Sequence, residues 1–193
     1  MPEADVALRA LVDIVASAAD HALTLWAGGR TQVRQWEKTP GQLVCEADLE
    51  VNQMLRDGLA KLAPDAGWLS EETADTAHRL DRGQVWVVDP IDGTRDYLRG
   101  RPGWAVSVAL VDQGTPRLAV LAAPARNELW VAELGNGATR NGQSLSASSR
   151  STLPGSRVPA DNLPRSDRDL SCVVEPNSIA LRMAMVAADE ADL

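Results

Sequence analysis

Apolar residues recur at Val6, Leu8, Leu11, Ile14, Val15, Ala18, Ala22 and Leu25, a spacing of three and four that predicts an amphipathic helix over residues 5–26. Gly28-Gly29 is expected to stop it. Residues 31–36 read as a strand, and Lys38-Thr39-Pro40-Gly41-Gln42 as a loop because of its Pro-Gly pair. A second helical spacing runs through Leu49, Met54, Leu55, Leu59 and Leu62 and ends before Pro64. Val85-Trp86-Val87-Val88 is a short unbroken apolar run, the pattern of a strand buried on both faces. Strands follow at 105–111, 118–122 and 129–132, separated by turn residues such as Gln113-Gly114 and Asn127, and residues 135–142 must turn sharply.

The stretch 146–169, rich in Ser, Pro, Arg and Asp, is expected to mark a domain boundary. Beyond it, 171–174 reads as a strand and 178–188 as a helix. The pattern predicts an α/β fold. Residues 1–145 are expected to form an N-terminal α+β domain, helices on a mainly antiparallel sheet, that carries the functional site, and 146–193 the start of an incomplete C-terminal α/β domain.

Composition narrows the chemistry. Six Trp, one Tyr and no Phe mean that the core must rest on Val, Leu, Ala and Trp. The net charge of −8 does not suggest nucleic acid, which needs a basic face, and an anionic small substrate requires locally recruited cations. Cys45 and Cys172 lie far apart, and with only His21 and His78 beside them a zinc site is not expected. The acidic N-terminus is unlike a signal peptide, and no apolar run approaches the roughly 20 residues of a membrane span. A reduced, cytoplasmic protein is expected.

The informative stretch is Trp86-Val87-Val88-Asp89-Pro90-Ile91-Asp92-Gly93-Thr94-Arg95-Asp96. A strand delivers two carboxylates, three residues apart, into an expected turn at its carboxyl end. Pro90 fixes φ, and Gly93 lets the backbone approach a ligand closely. With a helix starting at Thr94, the free amides of Gly93 and Thr94 offer an anion site. Hard oxygen ligands beside a phosphate-sized amide nest suit a Mg²⁺ phosphatase; on spacing alone a plain solvent-exposed turn is the alternative, since Asp-Pro and Asp-Gly are common turn pairs. The acidic pair Glu71-Glu72 and Asp48, within a helical pattern, add further carboxylates. A nucleophilic Asp of the haloacid-dehalogenase type, DxDGT, fails on spacing because Pro90 and Ile91 both intervene.

These residues resemble the inositol monophosphatase superfamily. The 85–96 stretch resembles its DPIDGT signature, Leu69-Ser70-Glu71-Glu72 its GEE element, and Val44-Cys45-Glu46-Ala47-Asp48 its VTxAD element, with Cys45 where threonine is usual. Gly137-Ala138-Thr139-Arg140-Asn141-Gly142 resembles its GAxxNG turn, and Ser178-Ile179-Ala180-Leu181 onward its later helix and strand. The resemblance implies a layered αβαβα sugar-phosphatase-like fold and a phosphate-monoester hydrolase using two or three Mg²⁺ ions, with Mn²⁺ as a substitute and Li⁺ inhibitory. It implies that Asp89 bridges two ions, that Glu71 and the Ile91 carbonyl complete one, and that Asp92 helps hold the second. It implies that Thr94, with Asp48, orients and deprotonates the attacking water, and that Asp92, Gly93, Thr94 and Arg95 bind substrate. Asp48, Glu71 and Thr94 are thus the catalytic candidates.

The family's late WDxAA element, whose Asp is a further metal ligand, has no counterpart after Ala191, so a truncated C-terminal part and a weakly held second ion are expected. Arg95 and the segment Gly100-Arg101-Pro102-Gly103-Trp104 resemble bacterial 3'(2'),5'-bisphosphate nucleotidases, with Arg95, Arg99 and Arg101 placed to meet a second phosphate. Inositol-1-monophosphatase and histidinol-phosphatase are the alternatives. A reading of another class is a catalytically silent homologue that binds a ligand or partner. The expected partner is a small phosphorylated metabolite, with homodimer formation left open.

Overall fold

The computed structural model describes residues 2–26 and 33–193. The chain opens with helix α1 (Pro2–Leu25), then the hairpin β1 (Gln35–Thr39) and β2 (Gln42–Cys45), and helix α2 (Glu46–Leu62). Strands β3 (Gly67–Ser70) and β4 (Gln84–Asp92) lead into the one-turn helix α3 (Thr94–Leu98). An antiparallel meander follows: β5 (Ala105–Asp112), β6 (Thr115–Ala123), β7 (Glu128–Glu133), β8 (Gly137–Arg140) and β9 (Gln143–Ser144). The last elements are β10 (Arg157–Pro159), β11 (Ser171–Val173) and helix α4 (Ile179–Ala187).

Seven strands form one sheet in the order β3-β4-β5-β6-β7-β8-β9. Only the β3–β4 pair is parallel; every other pair in this sheet is antiparallel. Helices α1 and α2 cover one face. Leu11, Val15, Ala18, Ala19 and Ala22 of α1 and Val51, Leu55 and Leu59 of α2 are buried with Trp86, Val88, Val106, Val108 and Val120 of the sheet. Tyr97 and Trp104 close this core, edge to face at 4.9 Å, and the Tyr97 hydroxyl donates to the Ala22 carbonyl at 2.9 Å. Helix α4 lies on the opposite face, where Leu181 packs with Ala105, Ala123 and Trp130.

Four expectations change. Strand β4 is not buried on both faces: Trp86 and Val88 are buried, whereas Val87 is 38% exposed. The α4 contacts fall further along the sheet and leave that position open. The 38–42 stretch is not a loop throughout, since Lys38 and Thr39 belong to β1, Gln42 to β2, and the turn narrows to Pro40-Gly41. The strand expected at 31–36 is found at Gln35–Thr39, and residues 31 and 32, like the Gly28-Gly29 stop, lie outside the described residues. The turn expected at Asp89 is instead a strand irregularity. Asp89 pairs with Ser107 and Asp92 with Ala105, three residues against two, so β4 bulges there. Pro90, with no N–H to give the ladder, fits such a bulge.

Candidate metal and phosphate site

Just beyond the bulge, Gly93 ends the strand. Gly93 has φ +95°, and a Cβ there would lie 2.7 Å from the Gly103 carbonyl oxygen and 2.8 Å from the Ser178 amide nitrogen. Only glycine allows this turn and this approach together. It lets α3 begin at Thr94, and the Gly93 carbonyl accepts from the amides of Asp96 and Tyr97. Thr94 Oγ1 donates to the Ile91 carbonyl at 3.0 Å and stands 3.5 Å from Asp48 Oδ1.

Asp48 reaches Thr94 from the first turn of α2. Its Oδ2 accepts the Cys45 amide at 2.7 Å, which is the carboxylate half of a capping box. The side chain is 2% exposed. Burial raises its pKa to about 6, the Cys45 bonds lower it, and the charges of Glu72 and Glu71 raise it further. The Cys45 thiol is pushed far up by burial and then by the Asp48 charge, so it is no nucleophile. Cys172 is exposed and both cysteines are free.

Glu71 and Glu72 follow β3, which lies beside β4. A buried polar chain holds this corner: Ser70 Oγ donates to Asn52 Oδ1 at 2.6 Å, and Asn52 Nδ2 to Thr73 Oγ1 at 3.2 Å. Lys38 crosses from the β1–β2 hairpin, forms an ion pair with the Glu72 carboxylate, and donates to the Glu71 carbonyl at 3.0 Å. Arg95, on α3, donates to the Gly41 carbonyl at 3.3 Å, so the same hairpin is held from both sides.

Asp92 turns to the start of α4. Its Oδ2 accepts from Ser178 Oγ and the Ala180 amide, each at 2.7 Å, and its Oδ1 from the Ile179 amide at 3.2 Å. Asp89 is the electrostatic centre. Its pKa is pushed up to about 8, first by burial, then by the charges of Asp92, Glu71 and Asp48. Three further carboxylates thus act on Asp89. Among the described residues, however, no three His, Cys, Asp or Glu side chains already enclose an ion-sized position. The donor set of carboxylates and a carbonyl is the hard-oxygen chemistry that a Mg²⁺-type ion takes.

Comparison with known proteins gives this arrangement its lineage. The model of the inositol monophosphatase family matches residues 3–193. The chain belongs to that family. It is 37% identical over 126 residues to a histidinol-phosphatase of Chlorobaculum parvum, covering 65% of this chain and 48% of that protein. It is 40% identical over 116 residues to an inositol-1-monophosphatase of Rhizobium meliloti, covering 60% and 43%. Among solved structures it resembles the extragenic suppressor protein SuhB of Bartonella henselae, with TM-score 0.83, 26% identity, and 96% of this chain and 76% of that one covered. It also resembles an inositol monophosphatase of Thermotoga maritima, with TM-score 0.82, 27% identity, and 99% and 74% covered. These likenesses confirm the layered α/β fold of the inositol monophosphatases. The chain spans about half the length of the curated relatives it matches.

In this family member, the structure brings Asp48, Thr94, Ile91 and Asp89 to one end of β4, with Glu71 alongside and Asp92 shared with α4. Two contributors do not stand out as site residues in the sequence. Lys38 falls within an expected loop. Ser178 falls at an expected helix start, yet its hydroxyl both accepts from the Leu181 amide and donates to Asp92. A serine leading a helix is the one local signal for Ser178. For Lys38 there is none. Among the described residues no helix is long and apolar enough to cross a membrane.

Proposed function

We propose that this chain carries the cation- and phosphate-binding side of a Mg²⁺-dependent phosphate-monoester hydrolase. The observation that supports it is the crowding of carboxylates around Asp89, whose pKa is raised by its burial and by the charges of Asp92, Glu71 and Asp48, an arrangement that calls for a cationic counterpart. In this reading Glu71, Asp89, the Ile91 carbonyl and Asp92 hold the metal, Mg²⁺ or Mn²⁺. The bound ion supplies Lewis acidity and makes water acidic enough to attack. Thr94 Oγ1 would orient the attacking water, and Asp48, 3.5 Å from that hydroxyl, would take its proton. The amides of Gly93 and Thr94 hold phosphate oxygens.

The substrate is a small phosphorylated metabolite. Arg95, Arg99 and Arg101 favour one with a second phosphate, as in a 3'(2'),5'-bisphosphate nucleotide. The histidinol-phosphatase and inositol-1-monophosphatase relatives favour a single phosphate. The division of the chain near residue 146 belongs to the same reading.

Calorimetric titration of the protein with Mn²⁺ and Mg²⁺, beside phosphate release under single-turnover conditions, tests the proposal. Uptake of the ion is expected, together with phosphate release that EDTA abolishes. Asp89→Asn is expected to lose both while keeping its circular dichroism. A fully active, ion-independent Asp89→Asn protein would overturn the reading.

A further inference from the structure

Asp92 is held unusually tightly for a carboxylate expected to bind a cation. A carboxylate offers about four lone-pair positions. Ser178 Oγ and the Ala180 amide occupy both on Oδ2, and the Ile179 amide takes one on Oδ1. Ser178 is 0% exposed and its position is fixed three ways. Its amide donates to the Gly103 carbonyl at 2.9 Å, its hydroxyl oxygen accepts from the Leu181 amide at 3.0 Å, and its hydroxyl proton points at Asp92. The adjacent Asn177 amide donates to Asp96 Oδ2 at 3.1 Å, so two successive carboxylates of the β4–α3 segment are tied to the start of α4.

We infer that Ser178 is the positioning residue of Asp92, fixing its rotation so that one lone pair of Oδ1 is presented to a cation. Asp92 then binds through a single oxygen, while its other oxygen is already neutralised by a hydroxyl and a helix amide. Binding of the cation and docking of α4 share one carboxylate and are therefore linked. This rests on the reading of Asp92 as a cation ligand, and it adds the residue that orients that ligand and the helix that responds to it.

The test uses Mn²⁺ as the probe. Its dissociation constant, measured by electron paramagnetic resonance, is compared for wild type, Ser178→Ala and Ser178→Thr, with hydrogen exchange followed at the Ile179 and Ala180 amides. Loss of a group that orients a metal ligand typically weakens binding by about 10- to 100-fold. Ser178→Ala is expected to weaken Mn²⁺ by at least about tenfold. Ser178→Thr, which keeps the hydroxyl, should stay close to wild type. In wild type, Mn²⁺ should slow exchange at Ile179 and Ala180. Wild-type uptake with an unchanged Ser178→Ala constant, or a Ser178→Thr protein as weak as the alanine variant, overturns this inference alone. A wild-type protein that takes up no Mn²⁺ overturns the ligand reading and this inference with it.

Discussion

The amide of Cys45 donates to Asp48 Oδ2 at 2.7 Å, so the turn that starts α2 also fixes the carboxylate that faces Thr94. The cap is obtained by burying an acid, and burial raises its pKa from 3.8 to about 6. A carboxyl group whose pKa is higher in the folded than in the unfolded state stabilises the fold at low pH. That contribution is lost as pH rises through the folded value. For Asp48 the window runs from about 4 to about 6, and the loss above it is about 3 kcal/mol.

Asp48→Asn keeps an oxygen for the Cys45 amide and removes the buried charge. In metal-free buffer at pH 8 this variant should unfold at higher urea than wild type, by about 2–3 kcal/mol, with the two converging near pH 4. Its hydrolytic rate should fall at the same time. Parallel urea midpoints for both proteins from pH 4 to pH 8 would sink the assignment of a raised Asp48 pKa.

Gly93 faces the Gly103 carbonyl and the Ser178 amide at distances no side chain tolerates, and its φ of +95° compounds the problem. Both neighbours are backbone, so neither can rotate aside. Gly93→Ala should destabilise the protein by about 2–4 kcal/mol and separate α3 from α4. Thermal unfolding measures the first effect, and amide exchange across residues 177–181 the second. A variant within about 0.5 kcal/mol of wild type would show that the close packing is not needed.

Lys38 forms the ion pair with Glu72, whose side chain is 4% exposed. Burial raises the Glu72 pKa, Lys38 lowers it, and Glu71 raises it again. Lys38→Met should remove the lowering contribution, leave Glu72 nearly covered and unpaired, and cost about 1–3 kcal/mol at pH 8. Because the carboxyl group then favours its proton more strongly, the deficit should shrink as pH falls. A deficit that is the same at pH 4.5 and pH 8 contradicts this account.

Much of this fold is legible because its elements carry local signals. The periodic apolar residues of α1 and α2 put Leu11, Val15, Val51 and Leu55 where the structure buries them. In the DPIDGT stretch the glycine and the helix start are equally local signals, whereas the bulge takes the place of the turn expected at Asp89. What stays hidden depends on neighbours distant in sequence. The run 85–88 says that β4 is apolar, yet which face is covered depends on where α4 lands. Strand β3 has one apolar pair, and β10 contains a proline, so neither has a readable pattern. Asp92 is a recognisable candidate ligand, but its partners at Ser178, Ile179 and Ala180 lie 86 to 88 positions away. Lys38 reaches Glu71 across 33 positions.

In the bisphosphate-nucleotide reading proposed above, the choice of substrate turns on Arg95. Its guanidinium is exposed on α3 and bound only loosely to the Gly41 carbonyl, at 3.3 Å, so it is free to exchange that carbonyl for a phosphate. A charge-assisted bond to a second phosphate contributes about 1.5–3 kcal/mol, which is about tenfold or more in rate or affinity. If the bisphosphate-nucleotide reading holds, 3'-phosphoadenosine 5'-phosphate should be hydrolysed faster than inositol 1-phosphate or histidinol phosphate. Arg95→Ala should then lower kcat/KM for the bisphosphate by about tenfold or more, while changing the monophosphates by less than about twofold. Loss of the Gly41 contact alone would affect every substrate alike, so the ratio between substrates separates the two roles. Single-turnover rates for the three compounds, with calorimetric affinities in Ca²⁺, supply that ratio. An equal loss on all three substrates would assign Arg95 to the hairpin, and a wild-type preference for histidinol phosphate or inositol 1-phosphate would replace the nucleotide with a single-phosphate substrate.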